Sequence, residues 1–310
     1  MVKARVAVTG ASGFVGRWLM AHFRSMEVDA VPFFDNAGAG LEDAAGIRSI
    51  LAKLQPDAVV HLAAVAAPAD ARRAPVAAFN TNLIGTLNLA SAILDVRPQT
   101  RMIFSGSSEA YGRSFATIAE PLDENAPLEP QTLYGVTKAS ADMLLGQMAA
   151  DGLNVVRFRP FNHTGPGQSD SYVVPAFARQ IARIEAGRQK PIIEVGDLEA
   201  ERDFSDVRDI VRAYAHAATM AEPLPAGIAI NLASGIPRPI SLVLERLRGM
   251  SRTSIEIRAD PMKFGAVGTR RAVGNATRAN GLLDWRAEIP FEKTLHDVLE
   301  AWRAESPSLI

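Results

Sequence analysis

Apolar positions along this chain fall into two kinds of run. Short, almost wholly apolar runs alternate with longer ones in which apolar residues recur every three or four positions. Residues 5–9, 28–34, 57–62, 101–105 and 154–159 are of the first kind. They read as parallel strands, which carry no polar side when helices cover both faces. Residues 17–25, 43–54, 76–94 and the run opening at Leu133 are of the second kind and read as helices. Strand and helix alternate through this half, which predicts an α/β fold with a doubly wound parallel sheet.

Beyond Pro160 the runs shorten. Residues 161–168 form a polar, turn-rich segment. Helices are expected over 174–185, 241–247 and 291–302, and strands over 191–195, 227–232 and 254–258. The segment from Glu201 to Val207 is read as the opening of a helix reaching Met220, capped by Ser205 or Asp206. These shorter elements predict a smaller lobe. The proline- and acid-rich stretch 115–132 reads as a surface excursion.

Composition narrows the options. The chain has 310 residues, 48% hydrophobic and 22% charged, with a net charge of −1. It can bury a large core, but it sets up no field that would gather nucleic acid or anionic membrane. The absence of cysteine removes disulfides, thiol catalysis and thiolate metal sites. His22, His61, His163, His216 and His296 are scattered without metal-ligand spacing, so no metal is expected. No apolar run approaches the ~18 residues of a membrane span. The opening Met1-Val2-Lys3-Ala4-Arg5 lacks the shape of a signal peptide, and a cytoplasmic protein is expected.

Two stretches carry chemistry. Gly10-Ala11-Ser12-Gly13-Phe14-Val15-Gly16 lies between the first strand and the first helix. In that context Gly10 permits a tight turn, Gly13 lets backbone amides approach a pyrophosphate, and Gly16 lets the helix pack closely. Asp35 follows the second strand, where an acidic residue holds the adenosine ribose and repels a 2′-phosphate, so NAD(H) is favoured over NADP(H). Small residues after His61 in Leu62-Ala63-Ala64 leave room for a cofactor at a strand end. His61 itself reads as a packed, hydrogen-bonded group. Asn82, inside a predicted helix, needs a reason to be there.

The second stretch is Leu133-Tyr134-Gly135-Val136-Thr137-Lys138. Tyr134 and Lys138 share one helical face. A cation in contact would lower the phenol's pKa and let it exchange a proton with an alcohol or carbonyl. Ser107, at another strand end, is placed to bond the same oxygen.

Taken together, TGASGFVG, HLAA, SGSSEAYG, YGVTK and RPFNHTGPGQ closely resemble the extended short-chain dehydrogenase/reductase family, whose members act on nucleotide-activated sugars. The second half, with RPFNHTGPGQSDSYVVPAFARQIARIEAG and VGDLEAERDFSDVRDIVRAY, looks like the GDP-4-keto-6-deoxy-mannose reductases, which make GDP-D-rhamnose.

The resemblance implies a Rossmann domain over 1–165 and about 206–233. A nucleotide-sugar-binding lobe would take about 166–205 and 234–310. It implies a catalytic triad of Ser107, Tyr134 and Lys138. The cofactor would meet Gly10, Ser12, Gly13, Phe14, Val15, Asp35, Leu62, Ala63, Ala64, Asn82, Tyr134 and Lys138. The substrate would meet Ser108, Glu109, Asn162, Val174 and Arg202, with Arg202 on its pyrophosphate. An ion pair of Arg202 with Glu201 or Asp203 is the competing reading. A homodimer through the 76–94 and Tyr134 helices is implied as well.

The implied activity is hydride transfer from NAD(P)H to the C4 ketone of a nucleotide-linked 4-keto-6-deoxyhexose. A 4,6-dehydratase or 4-epimerase using the same triad is the alternative, with Glu109 as the added acid/base group. A silent dinucleotide sensor is disfavoured by the complete triad. The chain departs from the family at Gly40, at Asp35 and over residues 262–268, where Arg270 and Arg271 could substitute for missing groups.

Overall fold

The computed structural model describes residues 4–34, 40–118, 121–260 and 269–306. The first half alternates as the pattern predicts. Strands β1 (Arg5–Thr9), β2 (Asp29–Pro32), β3 (Ala58–His61), β4 (Arg101–Ser105) and β5 (Val155–Pro160) are joined through helices α1 (Phe14–Ser25), α2 (Ala44–Leu54), α3 (Pro68–Arg73), α4 (Pro75–Phe79), α5 (Gly85–Val96), α6 (Ser114–Thr117) and α7 (Leu133–Ala150). Then come β6 (Asn162–Thr164), α8 (Val173–Glu185), β7 (Ile192–Val195), β8 (Glu201–Asp206), α9 (Val207–Thr219) and β9 (Ile228–Leu232). The chain closes with β10 (Pro237–Pro239), α10 (Ile240–Gly249), β11 (Glu256–Ala259), β12 (Arg271–Ala272), α11 (Thr277–Leu283) and α12 (Phe291–Glu305).

Six parallel strands form the main sheet in the order β2-β1-β3-β4-β5-β9. Side chains alternate across it. Val6, Val8, Val60, Ile103, Phe158 and Ile230 pack under α1 and α9. Ala7, Val59, Met102, Phe104 and Val155 pack under α2, α5 and α7. Each such burial contributes roughly 1.5–3 kcal/mol for a Val, Leu, Ile, Phe or Met side chain. A separate core forms where α8, α10 and α12 meet β7 and β8, around Phe177, Ile181, Leu244, Leu295 and Leu299.

Four expectations from the sequence are corrected. The helix read over 76–94 is present but not regular: it runs from α4 through a π-type turn at Asn80–Ile84 into α5, with the short α3 before it. The turn-rich segment after Phe161 contains β6, paired in parallel with β8. Glu201 to Asp206 is a strand, not a helix opening. Its residues from Asp203 to Asp206 are all buried, and β10, β12 and β6 pair with the strand. Asp206 caps α9, accepting from Arg208 N at 2.8 Å. The stretch 115–132 is no surface excursion throughout, since Leu122 is buried and Glu124 accepts from the Asn231 amide at 2.7 Å.

Candidate active site

The glycine turn is built by sterics. Gly10 has φ +69°, and a Cβ there would lie 2.8 Å from the Ala63 nitrogen. At Gly16 a Cβ would lie 2.1 Å from the Gly10 carbonyl oxygen. Gly13 heads α1 with no side-chain cap, and the first helical turn holds no acidic residue. Ser12 and Gly13 are exposed. The first amides of α1 therefore face outward with the positive end of the helix dipole, a seat for an anion such as a pyrophosphate. Phe14 and Val15 pack against the core beneath the turn.

The floor beside the turn is a hydrogen-bonded chain. Thr9 Oγ1 accepts from the Leu62 and Ala63 amides, both at 3.2 Å. With two donors already on it, its hydroxyl donates to His61 Nδ1 at 2.8 Å. Thr86 Oγ1 donates to the Asn82 carbonyl at 2.7 Å and accepts from His61 Nε2 at 2.9 Å. His61 is thus the neutral Nε2–H tautomer. Burial, seconded by the Lys138 charge, lowers its pKa to about 3. Ala64 is half-buried just beyond.

Asn82 is expended within the protein. Its amide accepts from Val65 N at 2.8 Å and donates to Val65 O at 3.1 Å and to Thr137 Oγ1 at 2.9 Å. It braces the segment after β3 against α7. Asp35 and residues 262–268 lie outside the described residues.

Thr132 starts α7, accepting from Gly135 N at 2.9 Å and donating to Glu109 Oε2 at 3.2 Å. One turn then separates Tyr134 from Lys138. Ser107 has extended backbone, caps the short turn Ser108–Ala110 through the Glu109 amide at 3.1 Å, and turns its hydroxyl to the Tyr134 phenol. Lys138 is buried, donates to Ser105 O at 2.8 Å and sits 5.2 Å over the Phe104 ring. Burial lowers its pKa to about 8.

The expectation that Lys138 lowers the phenol's pKa is corrected. Burial pushes the Tyr134 phenol up, Ser107 opposes this, and Tyr172, Glu109 and Tyr214 add to the rise. The ammonium is committed to Ser105 instead. Tyr134 therefore holds its proton, as a proton donor must before reaction.

On the far side, Ser108 is buried, while Glu109 and Asn162 are exposed. Asn162 pairs in register with Phe204 on β8, the strand that carries Arg202. Arg202 donates to Glu201 O at 2.9 Å and forms no ion pair among the described residues. Glu201 is taken by Arg271 at 2.9 Å. Asp203 accepts from Ser234 N, Ser234 Oγ, Gly235 N and Gly274 N. The competing ion-pair reading thus fails, and Arg271 is occupied. Burial lowers the Arg202 pKa, with Glu109 and Asp197 pulling the other way. Val174 differs: its side chain is enclosed in the second core. Sequence reasoning passed over Ser105, the acceptor for Lys138, and over Tyr172 and Tyr214, whose phenols act on Tyr134. Ser105's place as the last residue of β4 was the available signal.

Residues 6–233 match the model of the NAD dependent epimerase/dehydratase family. GDP-6-deoxy-D-mannose reductase of Pseudomonas aeruginosa is 34% identical, covering 97% of this chain and 97% of its own. UDP-glucuronate 4-epimerase of Thermodesulfobacterium geofontis is 26% identical, covering 98% and 97%. The solved structure of RMD from Pseudomonas aeruginosa complexed with NADPH aligns with a TM-score of 0.87 at 33% identity, covering 98% of each chain.

Proposed function

The chain belongs to the NAD dependent epimerase/dehydratase family, and from that premise we propose that it is a nucleotide-sugar reductase. It transfers hydride from NAD(P)H to the C4 ketone of a nucleotide-linked 4-keto-6-deoxyhexose, GDP-4-keto-6-deoxy-D-mannose in first place. The observation that carries this reading is the convergence of Ser107 and Tyr134 at the end of β4, in a chain 34% identical to a GDP-6-deoxy-D-mannose reductase.

The dinucleotide fits the open amides of the Gly10–Gly16 turn, where every added Cβ would crowd backbone. When bound, it supplies the hydride. Tyr134 Oη gives its proton to the carbonyl oxygen as that oxygen gains negative charge. Ser107 donates to the same oxygen. Lys138 stands one helical turn along the same face, held by Ser105 O, and solvent restores the phenol's proton. Arg202 and Asn162 hold the substrate's pyrophosphate side. Proton donation of this kind contributes about 10²–10⁴-fold.

Two finer points belong to this proposal. Asp35 after β2 favours NAD(H) over NADP(H) through repulsion of a 2′-phosphate, although the solved relative carries NADPH. The chain forms a homodimer through α5 and α7, whose neighbourhood exposes Val76, Ile84 and Met143. No helix among the described residues is long and apolar enough to cross a membrane, and we place the protein in the cytoplasm.

The test is incubation with GDP-4-keto-6-deoxy-D-mannose and either reduced cofactor, reading cofactor oxidation and the sugar product. Glu109, close enough to act on both Tyr134 and Arg202, favours a second reading as a 4,6-dehydratase. A 4-keto product from GDP-mannose alone, without reductant, would replace the reductase with that reading.

A further inference from the structure

The segment between β6 and α8 is anchored at both ends. Near β6, Trp18 Nε1 donates to Pro166 O at 3.0 Å and Arg17 donates to Gly167 O at 3.0 Å, so α1 holds that end. At the other end Asp170 pairs with Arg179 of α8, and both side chains stay partly in water.

Arg179 belongs to a face of α8 that the second core leaves uncovered. Phe177, Ala178, Ile181 and Ile184 fill that core. Ala176, Arg179, Gln180 and Arg183 recur at helical spacing on the other side. After Gly187 the chain turns back, with Arg188 N donating to Arg183 O at 2.8 Å. The reversal brings Lys190 to the same place as Arg183. Gln189 Nε2 donates to Ile192 O at 3.0 Å, and Glu194 N donates to Gln180 Oε1 at 3.2 Å. The two glutamines brace β7 against the polar face, and a cavity of about 690 Å³ opens beside them. Small-molecule sites span roughly 300–1,000 Å³.

Four cations, Arg179, Arg183, Lys190 and Arg258, and two carboxylates, Asp170 and Glu194, line the cavity. Arg179 is matched by Asp170, and Arg258 by Glu256 at 3.1 Å. Arg183 and Lys190 have no side-chain hydrogen bond or ion pair among the described residues. A chain of net charge −1 thus gathers two unmatched cations in one concave place. A guanidinium fork and a mobile ammonium together suit phosphate oxygens. Among the described residues no aromatic ring lines the cavity, so a nucleobase has nothing to stack on. None of the residues given above to the dinucleotide or the sugar nucleotide lines it either.

We propose that this cavity is a second anion site, which takes a compact diphosphate on Arg183 and Lys190. Arg179 turns from Asp170 to the bound anion.

Calorimetric titration of the full chain with inorganic pyrophosphate at low salt tests it. The glycine turn and Arg202 are common to every protein compared, so their share of the binding cancels. Arg183→Gln/Lys190→Gln should weaken one component of wild-type binding by about tenfold for each cation removed, the worth of a charge-assisted hydrogen bond. Arg246→Gln/Arg248→Gln, which removes two exposed charges from α10, should stay within twofold of wild type. Asp170→Asn should tighten binding by about threefold, because no carboxylate then competes for Arg179; a misfolded variant cannot produce that gain. Guanosine, which carries no phosphate, should displace nothing from this site. Equal losses in the two double variants would mean a diffuse surface charge and overturn the inference. So would displacement by guanosine, which would make the cavity the nucleoside end of the substrate crevice, or wild-type binding that is indifferent to Arg183 and Lys190.

Discussion

The Lys138 ammonium and the Ser105 carbonyl oxygen stand 2.8 Å apart, a charge inside the protein held by a neutral dipole. Burial lowers the lysine to about 8. Its folded pKa lies below its unfolded one, so between these values the unfolded chain binds more protons. Stability then rises with pH through that window and is diminished below it. Lys138→Met should abolish turnover yet raise the melting temperature at pH 7. The gain, on the order of a few kcal/mol, should shrink as pH climbs from 8 towards 10.5. Thermal melts of both proteins across that range would show it, and a variant less stable at pH 7 would contradict it.

Tyr134→Phe removes only the hydroxyl that Ser107 faces. Turnover should fall by about 10²–10⁴-fold while the fold and dinucleotide affinity stay unchanged. Single-turnover reduction with a parallel binding titration checks both halves. Unaltered turnover would remove the phenol from the mechanism.

Gly16 leaves no space for a methyl group, because its Cβ would sit 2.1 Å from the Gly10 carbonyl oxygen. That oxygen is backbone and cannot swing aside. Gly16→Ala should weaken dinucleotide binding by at least tenfold, a change of about 1.4 kcal/mol, and should lower the melting temperature. Gly281→Ala is the control, since nothing lies within 4 Å of a Cβ there.

Asp142 continues the Tyr134–Lys138 face by one more turn. It is fully buried and paired with Arg157 at 2.6 Å and Arg159 at 2.8 Å, both on β5. Arg159 also donates to Tyr111 Oη at 3.0 Å. Asp142→Asn leaves two arginines without their counter-charge, and such losses cost about 3–5 kcal/mol. Chemical denaturation should register a drop of that size, with an earlier loss of activity as α7 loosens from β5. A change under about 1 kcal/mol would mean the arginines find other partners.

The first half of the fold was readable because its two-sided sheet leaves a simple trace. Wholly apolar strands such as Val6–Val8 can only be buried on both faces, and the helices between them keep one period. The glycine turn was readable for the same reason, as few residues tolerate φ +69° or a backbone approach of 2.8 Å. Short strands escaped. The pairing of β6 with β8 brings Asn162 opposite Phe204 across more than forty residues of chain, and no local pattern encodes such a partner. Electrostatics escaped too. Spacing alone put Lys138 beside Tyr134, but which carbonyl the ammonium chose depends on where β4 ends. The π-type turn was hidden because Asn80-Thr81-Asn82 looks like an ordinary helix interior until Val65 and Thr137 claim the Asn82 amide.

The straps from Trp18 and Arg17 to Pro166 and Gly167 carry a kinetic consequence. The helix whose amides take the dinucleotide also tethers the segment that starts at Asn162. Settling the one steadies the other, so the two ligands do not load independently. Initial-rate patterns should display compulsory order, with the dinucleotide leading and the sugar nucleotide following. Arg17→Ala should relax that sequence towards random addition, and a random pattern in the unaltered enzyme would show that the tether transmits nothing.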